Sequence, residues 1–277
     1  MTIFWTVCLA VCVGVATPSP ARGQSRGERA ELPRDRPTLA HAQRLFYNAR
    51  YEEAATLALA LGTQDLAAAE LRTSALLFQL KALLEVRGDR EEPLKTCPTC
   101  PDLIADFLAD FRRGQTLARA ALRATPGDEA ALFFLGKLNL NYVWLQLGPL
   151  RRKTGWDEYW EARRSLDAVL KQHPQHVRAR VARAWIDYIV DTRMPWGTRW
   201  LLGGGNRKRA LIDVSEAASL ESDFFTHAEA EFALWNMHVR ERNVMQATEV
   251  AQRLARDFPE NRELAAFLAA PEASARR

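Results

Sequence analysis

The residues best suited to chemistry in this chain are two cysteines, Cys97 and Cys100. They lie in the segment Thr-Cys-Pro-Thr-Cys-Pro. One CxxC pair supplies two thiolates, whereas a structural zinc ion needs four ligands, and no second CxxC or nearby histidine pair supplies the rest. Haem attachment needs a histidine after the second cysteine, where this chain has Pro101. In an oxidising compartment such a pair forms a short local disulfide that stiffens a loop. We predict this disulfide, with a redox or metal role, or free thiols, as alternatives.

Signatures of catalysis are missing from the sequence. Its histidines form neither an HExxH nor an HxxEH motif, and no Gly-x-Ser-x-Gly elbow occurs. The net charge of +4 is mild and falls short of a nucleic-acid-binding pattern. We therefore predict a protein that is not an enzyme, has no cofactor or metal site and binds no nucleic acid.

Tryptophan and arginine are concentrated in one unusual segment, residues 193–206, which ends in a glycine run. A second segment, 148–155, has a similar character and is followed by another tryptophan. Trp and Arg are the residues that most often anchor protein interfaces. The loop residues predicted to bind a partner are Trp156, Arg193, Trp196, Arg199 and Trp200. Rings that fold back to fill gaps, or that face a membrane, are the alternatives.

A recurring apolar pattern indicates the elements that must position these segments. The offsets 0, 3, 7, 10 and 15 give Tyr159, Ala162, Leu166, Val169 and Pro174. The same offsets recur from Phe111 and Val244, and more weakly from Tyr51 and Arg207. Such spacing places small or apolar residues on one helical face, and the proline then ends the helix.

Each copy of the pattern follows another apolar helical segment. These segments are 39–48, 66–86, 129–147, 177–190 and 226–240, and a final candidate helix covers 261–270. Asp128 is a plausible N-cap after the break Thr125-Pro126-Gly127. No segment shows convincing period-2 alternation, so the sequence predicts an all-α fold.

Particular residues in these helix pairs resemble the tetratricopeptide repeat (TPR). Leu135-Gly136 precede Tyr159, Ala162 and Pro174, and Tyr51-Glu52-Glu53-Ala54 matches the start of a second repeat helix. The resemblance implies a right-handed α-solenoid of about five antiparallel helix pairs plus a C-terminal capping helix, over residues 38–270.

The spacing of the copies departs from that family. Starts at 51, 111, 159, 207 and 244 give steps of 60, 48, 48 and 37, against a period near 34 residues. The extra residues fall within pairs, at about 88–102, 148–155 and 191–206. Equivalent loops of a solenoid emerge on one side, so we expect a single rim there.

The N-terminal residues predict export. Residues 3–16 form an apolar run that suits a signal-peptide core, so 1–23 are predicted as a signal peptide, with an uncleaved anchor as the alternative and as the only membrane contact. Residues 24–37 are predicted as a disordered linker and 271–277 as a disordered tail. The expected location is the bacterial periplasm or cell envelope.

The resemblance also implies a function. The first helices of the pairs would line a concave groove with Phe133, Lys137, Asn141, Arg178, Trp185, Tyr188, Glu229, Phe232, Asn236 and Arg240. Carboxylate-clamp members carry Lys and Asn at the positions of Phe133 and Lys137, which argues against capture of a C-terminal carboxylate in that manner. We expect a non-enzymatic scaffold that binds a segment of another protein in the groove. The alternative is a small-molecule-binding accessory protein of periplasmic solute transport, with an enclosed apolar pocket under residues 191–206.

Overall fold

A computed structural model describes residues 38–87 and 94–274, and these residues belong to one compact unit. The predicted signal peptide and linker, at 1–37, lie outside the described residues. Every regular element in the described ranges is helical, which confirms the all-α prediction. The helices are α1 Leu39–Tyr47, α2 Tyr51–Ala60, α3 Leu66–Arg87, α4 Cys100–Ala124, α5 Glu129–Leu147, α6 Trp156–Gln172, α7 Val177–Arg193, α8 Trp196–Arg199, α9 Arg207–Ser219, α10 Phe224–Arg240, α11 Val244–Asp257, α12 Arg262–Ala269 and α13 Pro271–Ser274.

Polar side chains begin several of these helices by accepting hydrogen bonds from backbone N–H groups of the first turn, which have no partner inside the helix. The predicted cap Asp128 accepts from the Ala131 N–H at 2.8 Å. Asn206 starts α9 and Asn261 starts α12 in the same way. Of these three caps, Asp128 was predicted from the sequence.

Consecutive helices pack in neighbouring pairs through the recurrent apolar pattern. In α6, Tyr159, Ala162 and Leu166 are buried against α5. Gly136 of α5 permits this approach, because a Cβ atom there would lie 2.9 Å from Leu166 Cγ. Small residues at such positions let two helix backbones come close together.

The two ends of the described chain contact each other. The Tyr47 ring at the end of α1 stacks on Phe232 of α10 at 5.2 Å between centroids. Asn261, just before α12, donates from Nδ2 to the Tyr47 carbonyl at 2.7 Å. The Tyr51 hydroxyl donates to Glu263 at 2.7 Å. Helix α1 also contacts α3, α3 contacts α5, and α10 contacts α7, so these five helices surround a common centre, which we call the ring interior.

Two of the predicted insertions contain helical structure in their described residues, while 88–93 of the first insertion lie outside the described residues. Helix α4 begins at Cys100, within the predicted insertion 88–102, and Pro101 occupies its first turn, where a missing N–H costs nothing. The structure joins Cys97 and Cys100 in a disulfide directly before this helix. In the segment 191–206, α8 is followed by a 3-10 turn at Trp200–Leu202.

The predicted disordered tail, 271–277, is described only in its first four residues. Residues Pro271–Ser274 form the short helix α13, and 275–277 lie outside the described residues. Proline favours the first position of a helix, and an acidic residue such as Glu272 is favourable in the first turn. None of the helices within 38–87 and 94–274 is both long and apolar enough to cross a membrane.

Candidate interaction site

Four charged side chains from four helices meet in the ring interior and form the charge cluster: Glu70, Lys137, Arg178 and Glu229. Lys137 Nζ lies 2.7 Å from Glu229 Oε1 and 3.7 Å from Glu70 Oε1. Arg178 pairs with Glu229 and reaches Glu70 Oε2 at 3.0 Å. All four side chains are largely buried. Two positive and two negative charges therefore neutralise each other at the centre of the fold.

The ionisation of the charge cluster is fixed by its own members. Burial alone would raise the pKa of Glu229, but the positive charges of Arg178 and Lys137 outweigh it and lower that pKa to about 2. Burial acts to lower the pKa of Lys137, and the attraction of Glu229 and Glu70 reverses this and raises it. Glu229 and Lys137 are thus both held in their charged forms at neutral pH.

Other predicted groove residues in this part of the ring interior are also occupied with one another. Arg178 lies over the Phe133 ring, with its guanidinium carbon 4.7 Å from the centroid. Asn141 Nδ2 donates to Thr73 Oγ1 at 3.0 Å and to Ser74 Oγ at 2.9 Å. Phe133 and Asn141 are buried. The structure thus brings these predicted residues together, but it fills the space between them with the protein's own side chains.

The remaining groove residues lie toward the C-terminal ends of α7 and α10. The Tyr188 hydroxyl donates to Glu241 at 2.8 Å, and its ring is buried. The Arg240 guanidinium carbon lies 5.7 Å from the centroid of Trp185. Arg240 is exposed, while Trp185 and Asn236 are partly exposed. This end of the ring interior is therefore open to solvent where the charge cluster is not.

The predicted loop tryptophans are exposed. Trp196 has 86% and Trp200 72% of its surface accessible, and Trp156 and Leu201 are also exposed. Trp196, Trp200 and Leu201 lie on the segment 191–206, and Trp156 lines an apolar cavity together with Met194 and Leu202 of that segment; these four exposed residues are called the tryptophan surface. Because single exposed apolar residues are ordinary, the informative feature is that three large ones occur on one short segment, with a fourth at the neighbouring insertion.

Hydrogen bonds from α6 hold the segment that presents this surface. The Tyr159 hydroxyl donates to the Leu202 carbonyl at 2.8 Å. Arg163 donates to the same carbonyl at 2.9 Å and to the Gly203 carbonyl at 3.2 Å. Leu202 itself is buried. The loop is therefore fixed on one side while its tryptophans point away from the core.

The other side of the segment is held by α7. Arg199 donates to Asp191 at 2.5 Å and to the Met194 carbonyl at 3.1 Å. Asp191 also accepts from the Arg207 N–H at the start of α9, at 3.0 Å. Of the two predicted loop arginines, Arg199 thus holds the loop in shape, whereas Arg193 is exposed at the end of α7.

A small apolar cavity lies beneath the loop, between the second and third insertions. Its volume is about 30 Å³. Its lining residues come from both insertions and from the helices below them: Leu140, Val143, Trp144, Leu147, Thr154, Gly155, Trp156, Tyr159, Ile186, Ile189, Val190, Met194 and Leu202. This space is far smaller than an organic ligand, because a single water molecule alone needs roughly 10–15 Å³.

Residues of the three predicted insertions take part in shared apolar groups. Leu94 and Cys97 of the first insertion and Leu150 of the second belong to one apolar cluster. Thr154 of the second insertion and Met194 of the third share the cavity.

Sequence reasoning missed two residues that build this site, Glu70 and Arg163. Glu70 interrupts an otherwise apolar stretch of α3, and a charge there requires a buried partner, so its position was a usable signal. Arg163 gave no such signal, because its partners are backbone carbonyls in a distant loop.

Comparison with known proteins gives no relative. No model of a protein family, no curated protein and no solved structure matches this chain. The resemblance to the tetratricopeptide repeat therefore stays a hypothesis based on the residues given above.

Proposed function

We propose that this protein is a non-enzymatic scaffold that binds a segment of another protein through the tryptophan surface. The observation that supports it most is the exposure of Trp196 and Trp200 on a loop held from both sides. Large rigid rings lose little conformational entropy on binding, and a loop that is already fixed loses little more when a partner binds. Tryptophan is also among the residues enriched in binding hot spots.

The partner is placed on the loop rather than in the middle of the ring interior. A peptide at the charge cluster would have to separate buried, oppositely charged groups, and an unpaired buried charge is strongly unfavourable. The tryptophan surface needs no such rearrangement. The earlier expectation of a groove-bound segment is therefore revised to a segment that docks on the rim.

The finer fold and the location belong to the same proposal. We infer a right-handed solenoid of about five TPR-like helix pairs with α12 as its cap; the neighbouring-pair packing and the buried apolar pattern support it. We also infer a bacterial periplasmic or envelope location. The apolar run at 3–16 and the disulfide support this, since disulfides persist in oxidising compartments.

Paired alanine substitutions test the function. The double variant Trp196→Ala/Trp200→Ala, tagged and expressed in the source cells, is compared with the wild type for proteins enriched from envelope extracts and quantified by mass spectrometry. We expect one or a few specific partners with the wild type and their loss from the double variant. Met245→Ala, which removes another exposed apolar side chain, on α11, is the matched control and keeps the partners.

The thermal stability of the double variant distinguishes a binding role of the two tryptophan rings from a packing role in the core. Its thermal midpoint is expected to stay within about 2 °C of the wild type, as for surface substitutions. A variant that melts much earlier, or one that keeps all of its partners, contradicts the proposal.

Small-molecule binding remains the second candidate function. The apolar cavity beneath the loop lies where that candidate requires it. Its volume of about 30 Å³ is nevertheless far below the roughly 300–1,000 Å³ of ordinary ligand pockets. A ligand there would need the loop to move away from Tyr159 and Arg163, so the scaffold is the better supported function.

A further inference from the structure

Positive charge is concentrated in the two stretches of chain that carry the tryptophan surface. The second insertion, 148–155, and the stretch 193–209 contain many basic residues and no acidic residue. These basic residues are Arg151, Arg152, Lys153, Arg193, Arg199, Arg207, Lys208 and Arg209. The whole chain, by contrast, has 38 Lys and Arg against 34 Asp and Glu. The exposed tryptophans therefore lie in an unusually basic part of the protein.

Only some of this charge is neutralised within the fold. Arg199, Arg207 and Arg209 each form an ion pair with a carboxylate, at 2.5, 3.6 and 2.9 Å respectively. Lys153 and Arg193 are exposed, and neither has a carboxylate within ion-pair distance in the part of the chain that the structure describes. These two cations are therefore available to a partner.

The small apolar cavity brings the two cations to the same place. Thr154, which follows Lys153, and Met194, which follows Arg193, both line this cavity of about 30 Å³. Trp156 lines it as well. Because the cavity has room for only one or two water molecules, its walls are close together. The backbone positions of Lys153 and Arg193 therefore lie close to Trp156 and to the segment that carries the other two exposed tryptophans.

Negative charge near this surface favours a peptide over an anionic lipid bilayer. Asp157 is exposed directly after Trp156, at the start of α6. A flat anionic surface in contact with Trp156 would also meet Asp157, and the approach of like charges is unfavourable. A peptide has charges at separate positions along its chain, so it can place acidic residues beside Lys153 and Arg193 and avoid Asp157.

We propose that the partner segment that docks on the tryptophan surface carries acidic side chains next to large apolar ones. This inference rests on the proposed function and adds the charge of the partner to it. The apolar side chains pack on Trp196 and Trp200, and the carboxylates face Lys153 and Arg193. Complementary charges at the edge of an interface speed association and fix the register of the partner. The site lies on the insertions and uses acidic side chains within a segment.

Selection from a random peptide library displayed on phage tests the charge of the partner. The full chain is the bait, and counter-selection on Trp196→Ala/Trp200→Ala removes peptides that bind elsewhere. We expect the peptides that depend on the two tryptophans to be enriched in Asp and Glu, together with Leu, Phe and Trp, relative to the unselected library. Enrichment of neutral or basic apolar peptides overturns the inference but supports the proposed function. If no peptide depends on the tryptophans, both fail.

Two pairs of substitutions locate the charge. The most enriched peptide is synthesised with a fluorophore, and its Kd is measured by fluorescence polarisation. Lys153→Gln/Arg193→Gln is expected to raise the Kd about fivefold at low salt, as for loss of two exposed ion pairs. The rise is expected to be smaller at high salt, because salt screens exposed charges.

Arg123→Gln/Lys171→Gln is the matched control, because it makes the same charge change at exposed positions near the ends of α4 and α6. It is expected to leave the Kd unchanged. No rise with the first pair, or an equal rise with both pairs, overturns the inference.

Vesicles of phosphatidylcholine and phosphatidylglycerol test the lipid alternative by co-sedimentation. We expect the wild type to stay in the supernatant. Sedimentation of the wild type with these vesicles, lost in Trp196→Ala/Trp200→Ala, would assign the surface to a membrane and overturn the inference.

Discussion

At the scale of single residues, Lys137 holds two buried glutamates together. Replacing it by Met keeps most of the side-chain volume but leaves Arg178 as the one positively charged partner of Glu70 and Glu229 among the described residues. Breaking a buried ion pair from one side costs about 3–5 kcal/mol, so we expect Lys137→Met to lower the free energy of unfolding by about 3 kcal/mol. Urea denaturation measures this change.

The matched control for this substitution is Lys171→Met, at an exposed position near the end of α6. Its expected effect is within about 0.5 kcal/mol. Equal stability of the Lys137 and Lys171 variants would show that Lys137 in the charge cluster contributes nothing to the free energy of unfolding.

Acid sensitivity follows from Glu229. Its pKa is lowered from 4.5 to about 2 in the folded protein, so the unfolded chain takes up its proton at a higher pH than the folded chain does. The stability that this group contributes is therefore present above about pH 4.5 and is lost as the pH falls toward 2. We expect Glu229→Gln to flatten the decline of unfolding free energy in this window, measured by urea denaturation at several pH values. A decline as steep as in the wild type would contradict the assigned shift.

The residue types of the loop were informative in the sequence, while the residues that hold it were not. Trp196 and Trp200 were predicted to be special because of their type, and they are exposed. Arg199 was predicted with them, but it contacts Asp191 and a backbone carbonyl of its own loop. The type of an arginine does not reveal whether its donors face a partner or the chain itself, because both uses need the same group.

At the scale of helices, close approach between α5 and α6 depends on Gly136. A larger side chain there must push aside Leu166, which is fully buried. Overpacking of this kind costs about 1–3 kcal/mol, so we expect Gly136→Val to destabilise the protein by about 2 kcal/mol. Thermal or urea unfolding measures the loss.

Ala120→Val, at an exposed position on α4, is the control for placing a β-branched valine in a helix without overpacking. If Gly136→Val is no worse than this control, the helices are not in the tight contact that the structure has.

The helices could be predicted because their signals are local. Apolar residues at helical spacing and caps such as Asp128 act within a few positions, and α1 to α7 and α9 to α12 each overlap a predicted segment, although α4 and α7 extend into predicted insertions. The short helices α8 and α13 were missed. Each has only four residues, and too short a run of sequence shows no periodicity.

At the scale of the whole molecule, the contact between the chain ends was not predictable from the sequence. Asn261 was recognisable only as the start of a helix, yet it also donates to the Tyr47 carbonyl more than two hundred positions earlier. No local pattern records such a contact, because it depends on the summed geometry of all the intervening helices.

Two asparagines distinguish the stability that comes from the contact between Asn261 and Tyr47 from the stability that comes from helix capping. Asn206 and Asn261 both cap a helix, at 2.9 Å in each case, but only Asn261 bridges the chain ends. Loss of a cap costs about 1 kcal/mol, and a buried carbonyl left without a donor costs about 1–3 kcal/mol more. We expect Asn261→Ala to be the more destabilising variant by at least about 1 kcal/mol in urea denaturation. Equal effects would mean that the contact between the ends adds no stability.

The central claim is that a helical framework holds the loop 191–206 so that it presents Trp196 to a protein partner. Site-specific photo-crosslinking in the source cells tests it most directly. A photoreactive phenylalanine derivative replaces Trp196 in one strain and Met245, the exposed control position on α11, in another. We expect a discrete crosslinked protein from position 196 and none from position 245. No product at position 196, or the same product at both positions, would contradict the account.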